Sequence, residues 1–153
     1  MSVRTIGTKS MLSLVTITCF ACDARASEAS ASNATVVPAE ITGEDYTIQV
    51  SLNIDDESAN TVAITIVPKS PLVLKTTTPL AIALECTEGC TVEKPKLDAE
   101  DIVDAKTSAK TVRSPLKVRR GRHRLDGELS FFLCTDEICR RQTDDLTYAF
   151  DVN

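Results

Sequence analysis

The sequence predicts an all-β, immunoglobulin-like sandwich, a single domain with at most one short helical turn. Three observations carry that expectation. Apolar residues alternate with polar or small ones in five separate stretches, which gives each stretch the single apolar face of a half-buried strand. Turn-forming residues separate the stretches at intervals of roughly ten residues, the spacing of sandwich strands. Several one-faced strands in a row can bury those faces only by forming two sheets packed against each other.

The elements follow in chain order. In 46–54, Ile48, Val50, Leu52 and Ile54 share one face, and Asp55, Asp56, Glu57 and Ser58 break the pattern like a turn. Val62, Ile64 and Ile66 resume the alternation in 61–67, and Pro68 is expected to end it. These two strands read as a hairpin. Leu80, Ile82, Leu84 and Cys86 alternate next, then Leu129, Phe131 and Leu133 in 127–133. The chain closes on a strand in which Leu146, Tyr148, Phe150 and Val152 face one way and Thr147, Ala149 and Asp151 the other. Only 97–106 departs from period two, because Ala99, Ile102, Val103 and Lys106 suit a short helical turn with its acids outward.

The first forty residues read differently. Arg4 and Lys9 form a short basic region, Met11 to Ala21 is an apolar run, and Ala24-Arg25-Ala26 has the small-x-small form of a cleavage site. Residues 1–26 are therefore expected to be a secretory signal peptide, its apolar run too short to span a bilayer. In a second reading, Cys22 after Cys19-Phe20-Ala21 resembles a degenerate lipoprotein signal, and a lipid on Cys22 would tether the domain to a membrane. Residues 27–40 are small and polar and read as a flexible linker, leaving 41–153 as the folded unit. The protein is expected to be exported, in the periplasm or otherwise at the cell envelope.

Composition removes several function classes. With 42% hydrophobic and 25% charged residues the chain is globular in character, and 17 Lys and Arg against 22 Asp and Glu leave a formal net charge of −5. That balance repels phosphate polymers, and aromatics at 4% with no Trp leave few platforms on which bases could stack, so no nucleic-acid partner is expected. No nucleophile elbow, zinc-protease helix or phosphate-binding loop pattern is present.

Four of the six cysteines follow the linker, as Cys86 and Cys90 in CTEGC and Cys134 and Cys139 in CTDEIC. Four cysteines allow three pairings. Cys134 and Cys139 flank a short segment between two strands, and cysteines facing across a hairpin neck are close enough to bridge. So short a loop yields little chain entropy, and an exposed hairpin bridge is among the more easily reduced kinds. Asp136 and Glu137 would disfavour a thiolate there, whereas Arg140 and Arg141 would favour one. For Cys86 and Cys90, with Gly89 supplying a tight turn, the plain reading is a local structural disulfide. A long-range Cys86 to Cys134 bridge and a four-cysteine zinc site are the alternatives. No metal is expected, since an exported protein oxidises such thiols and neither pair has the usual C-x2-C spacing.

The stretch from Gly127 (GELSFFLCTDEICRRQ, then LTYAFDV) resembles the end of the disulfide-bond corrector family, the amino-terminal periplasmic domain of the thiol:disulfide interchange protein DsbD. In that family a G-x-L-x-[FY] strand leads into a cysteine hairpin, and here Gly127, Leu129 and Phe131 precede Cys134. The resemblance covers about the last third of the folded unit. It implies an immunoglobulin-like sandwich, a redox role for Cys134 and Cys139, no cofactor, and thioredoxin-like protein partners. The family usually has Pro after its second cysteine where this chain has Arg140. Any membrane electron donor would act in trans.

One further patch stands out. Arg113, Lys117, Arg119, Arg120, Arg122 and Arg124 surround His123 with no acid between them. The plain reading is a solvated strand and turn about Gly121, with His123 in water. The functional reading makes Arg119, Arg120, Arg122 and Arg124 an anchor for an acidic partner or anionic headgroups. Two functions from different classes result: a thiol–disulfide exchange module using Cys134 and Cys139, or a non-enzymatic exported sandwich with structural disulfides that binds another envelope protein.

Overall fold

A computed structural model of the chain describes residues 39–54, 60–104 and 107–153. The signal peptide at 1–26, Cys22, the linker up to residue 38 and the acidic turn at 55–58 lie outside the described residues. Ten strands follow in order: β1 (Ala39–Thr42), β2 (Tyr46–Asn53), β3 (Thr61–Pro68), β4 (Ala81–Cys86), β5 (Cys90–Val92), β6 (Lys96–Asp98), β7 (Ile102–Asp104), β8 (Lys110–Val118), β9 (Gly121–Cys134) and β10 (Cys139–Val152). β1 opens at Ala39, so the last two residues read as linker pair instead with β2.

All ladders are antiparallel and form two sheets. One runs β1-β2-β3-β8-β5, with β7 also on β8; the other runs β10-β9-β4-β6. The expected immunoglobulin-like sandwich is the architecture of the chain, and the expected hairpin is β2 on β3, in register from Tyr46↔Pro68 to Asn53↔Thr61. Pro68 is the last residue of β3 and does not stop it short.

The alternation read from the sequence is what fills the core. Ile48, Val50, Val62, Ile64 and Ile66 point inward from one sheet, and Ile82, Leu84, Leu125, Phe131 and Leu146 from the other, each no more than 2% exposed. With so few aromatics, one contact between the sheets stands out: Tyr46 meets Phe131 edge to face with ring centroids 5.0 Å apart. Among the described residues, the buried side-chain polar atoms other than His123 Nδ1 are matched. Ser114, fully buried on β8, donates from its hydroxyl to the Lys94 carbonyl at 2.9 Å and accepts from the Lys94 amide at 3.2 Å.

Across the sandwich the Tyr46 hydroxyl donates to Asp144 Oδ2 on β10 at 2.9 Å. Burial, reinforced by this carboxylate, pushes the phenol up to about 12 from its ordinary 10.0. The sign follows: the hydroxyl stays protonated in the folded state above the pH at which the unfolded chain loses its proton. Its contribution is full below about pH 10 and falls away as pH rises through about 12. Tyr46→Phe is expected to cost about 1 kcal/mol at neutral pH and to flatten the decline in stability above pH 10, read by denaturant titration across that range.

The helical turn expected in 97–106 is mostly strand. β6 and β7 flank a single 3-10 turn at Ala99–Asp101. Local hydrogen bonds set this outcome: Asp98 Oδ1 accepts from the Glu100 amide at 2.8 Å, and Asp101 Oδ2 accepts from the Asp98 amide at 3.0 Å. Lys94 pairs with Asp101, which holds that carboxyl below its usual range and lifts the lysine. Ile102 is partly buried against the core while Val103 is 58% exposed, the alternation of a strand.

Candidate functional site at the β9–β10 hairpin

β9 and β10 are both fourteen residues long and pair without interruption from Cys139↔Cys134 to Val152↔Gly121. Each starts earlier than the sequence suggested, β9 at Gly121 rather than 127 and β10 at Cys139 rather than near Leu146. The hairpin tip is therefore tight. The Thr135 amide donates to the Ile138 carbonyl at 2.8 Å, and Thr135 Oγ1 accepts from the amides of Glu137 and Ile138 at 3.3 and 3.2 Å. A hydroxyl in this position stands in for a missing backbone partner and fixes the turn.

That tip sets Cys134 and Cys139 side by side with α-carbons 4.0 Å apart, joined by a disulfide. The two half-cystines differ in surroundings. Cys134, the last residue of β9, is fully buried, whereas Cys139 is exposed. Cys134 is further held from the other side by Val73, whose amide and carbonyl each make a 2.9 Å bond with its backbone. Val73 lies about sixty residues before Cys134, and no local pattern signals this pairing.

Around the bridge the surface is mixed. Pro71, Val73, Cys134, Thr135, Asp136 and Glu137 line an open cleft of about 370 Å³. A second hollow of about 270 Å³, reached by Pro71, Leu72, Ile138 and Arg140, lies beside it. Val73 and Ile138 are 38% and 55% exposed, an apolar fringe next to the charges of Asp136, Glu137 and Arg140.

Cys86 and Cys90 form the second disulfide, with α-carbons 5.5 Å apart. The chain leaves the four-stranded sheet at Cys86 and enters the six-stranded one at Cys90, so this local bridge closes a corner between sheets. Gly89 turns the corner at a φ of 84°, a left-handed conformation that glycine adopts without cost. Both cysteine pairs are thus local, which corrects the two alternatives. A Cys86 to Cys134 bridge is not formed, and a four-cysteine zinc site is out of reach because Cys86 lies opposite Leu125, nine residues and roughly 30 Å along β9 from Cys134. Among the described residues no other group of three or more ligating side chains gathers.

The basic patch is broken up by the fold. Arg119 and Arg120 sit at the β8–β9 turn, but Arg122 Nε lies 3.6 Å from Asp151 and Arg124 Nε 2.8 Å from Asp126. Lys117 pairs with Glu93, which raises its pKa. Asp151 comes from the neighbouring β10, Glu93 from the turn after β5, and Asp126 from β9 itself, two residues beyond Arg124. His123 also differs from expectation: it is buried at 5% exposure, not solvated, with its ring 5.6 Å from Phe150. Its Nε2 lies 2.8 Å from the Arg119 carbonyl, an acceptor, so Nε2 carries the hydrogen and the ring serves the corner.

Among the described residues no helix is long and apolar enough to cross a membrane. No family model matches the chain, and no curated protein matches it. Among solved structures it is similar to the GAE domain of GGA2p from Saccharomyces cerevisiae, at 6% identity and a TM-score of 0.43, over 72% of this chain and 96% of that one.

Proposed function

We propose that the chain is an exported thiol–disulfide exchange module whose working pair is Cys134 and Cys139, with Cys86–Cys90 a structural bridge. The observation that carries this reading is the asymmetry of the hairpin pair: one sulfur-bearing residue exposed at a tip, the other fully buried behind it. Exchange needs one sulfur that a partner can reach and one that waits to resolve the product. The resemblance of Gly127, Leu129, Phe131 and the cysteine hairpin to the disulfide-bond corrector family points the same way. Disulfides persist in oxidising compartments, which suits a periplasmic or envelope site of action.

In the reduced module, the Cys139 thiolate attacks a sulfur of a partner's disulfide. A mixed disulfide forms and one partner thiolate leaves. The Cys134 thiolate then attacks Cys139 Sγ, closing the Cys134–Cys139 bond and releasing the partner's second thiolate. The partner gains two electrons and the module loses two; a dithiol donor in trans, thioredoxin-like or membrane-bound, restores it by the reverse sequence. Cys134→Ser should therefore accumulate a mixed disulfide on Cys139 when offered glutathione disulfide, visible as an added mass of one glutathione. Cys139→Ser should leave the buried Cys134 largely unmodified over the same time. Equal modification of both variants would contradict the assignment.

A second reading is favoured by the double hydrogen bond between Cys134 and Val73. A bridge at that point also braces the hairpin neck against the preceding loop, as a non-enzymatic binding domain with structural disulfides would use it.

A further inference from the structure

β10 is the border strand of the four-stranded sheet, and among the described residues no strand pairs with its outer side. Which backbone groups face that side follows from the hairpin. Cys134 directs both its amide and its carbonyl to Val73, away from β10, so Cys139 opposite it belongs to a non-hydrogen-bonded pair and turns its own groups outward. The unbroken register carries this alternation along the strand. Arg141, Thr143, Asp145, Thr147, Ala149 and Asp151 thus present N–H and C=O groups to the edge. The Asp145 amide fits the pattern, since it is met by the Asp144 side chain at 2.9 Å and not by β9.

An open edge of this kind is a template for another strand, and proteins usually guard it with short length, charged side chains, proline or a bulge; of these β10 carries only charge, and a partner of matching charge turns that guard into a contact. β1, β5, β6 and β7, the other border strands among the described residues, are three or four residues long. β10 is fourteen residues long, has no proline and keeps an unshifted register throughout.

Charge selects the strand that fits. β10 is basic near its start, at Arg140 and Arg141, and acidic beyond, at Asp144, Asp145 and Asp151. A second copy running antiparallel, with Leu146 opposite Leu146, sets Arg141 against Asp151 at both ends, Thr143 against Ala149 and Asp145 against Thr147. No like charges then lie opposite one another, whereas a parallel copy in register would stack arginine on arginine and aspartate on aspartate. We infer that the outer edge of β10 is a self-association surface, on which a second copy of this chain pairs antiparallel about a two-fold axis at Leu146 and joins the two four-stranded sheets. The hairpin tip lies outside the paired span, so this surface stands or falls separately from the redox reading.

Sedimentation velocity of the full chain, from micromolar to millimolar concentration, tests the inference. The wild type should dimerise. Arg141→Asp and Asp151→Arg should each raise the dissociation constant about tenfold, and the double variant should return to within about threefold of wild type because the charges are exchanged, not lost. Thr147→Pro removes an outward amide without touching the β9 ladder and should abolish the dimer while circular dichroism shows the fold retained. A chain that stays monomeric throughout overturns the inference. So does a dimer indifferent to both charge reversals, which does not depend on the proline variant folding.

Discussion

Phe131→Ala should be the most damaging single truncation in the domain, lowering stability by about 3–5 kcal/mol. Phe131 is fully buried on β9 and meets Tyr46 of the opposite sheet edge to face. With no Trp and only four Phe in the chain, the surrounding aliphatic side chains have little bulk with which to collapse into the space. The loss comprises the transfer of the ring, the cavity left behind and the aromatic contact itself. A domain of this size has on the order of 5–15 kcal/mol in total, so the variant should be partly unfolded at body temperature in a denaturant or thermal melt. Phe131→Leu, which keeps most of the volume, should lose less than half as much; equal losses would assign the cost to the aromatic contact that both variants lack and not to the cavity.

The second large effect is expected at the corner. Gly89→Val should cost about 2–3 kcal/mol, because a β-branched residue is strained at positive φ and its Cβ would lie 3.2 Å from His123 Cε1. The ring beneath is fixed by its bond to the Arg119 carbonyl, so it cannot withdraw without losing that partner. Gly89→Asn, whose side chain tolerates this backbone region better, should lose less. A chemical-denaturation series separates the two, and identical losses would assign the cost to the contact with His123 alone.

How much of this was legible in the sequence depends on where each residue lies in the sandwich. Strands with one face in the core, such as β2 and β3, announce themselves because Ile48, Val50, Val62 and Ile64 alternate without exception. The front halves of β9 and β10 do not. Arg140 is exposed and Gln142 and Asp144 are only half-buried at the rim, where Asp144 accepts from the Tyr46 hydroxyl, so their polarity hides a strand. The run 97–106 misleads in the opposite direction: its apolar spacing fits a helix, but Asp98 and Asp101 cap a single turn by local hydrogen bonds and the chain reverts to strand. His123 was obscured by its arginine neighbours, which point to solvent while it points in, a consequence of period two that the charges masked. The cysteine pairing was readable because each pair is close in sequence. The burial of Cys134 was not, since it depends on Val73, about sixty residues earlier.

The central claim is that the two disulfides differ in kind, one exchangeable and one structural. Equilibrating the folded chain in graded glutathione buffers, alkylating free thiols and assigning them by mass spectrometry gives a potential for each pair. An exchange module requires Cys134–Cys139 to titrate above about −230 mV while Cys86 and Cys90 remain bridged. Both pairs resisting reduction below about −300 mV would contradict it and leave a rigid binding domain.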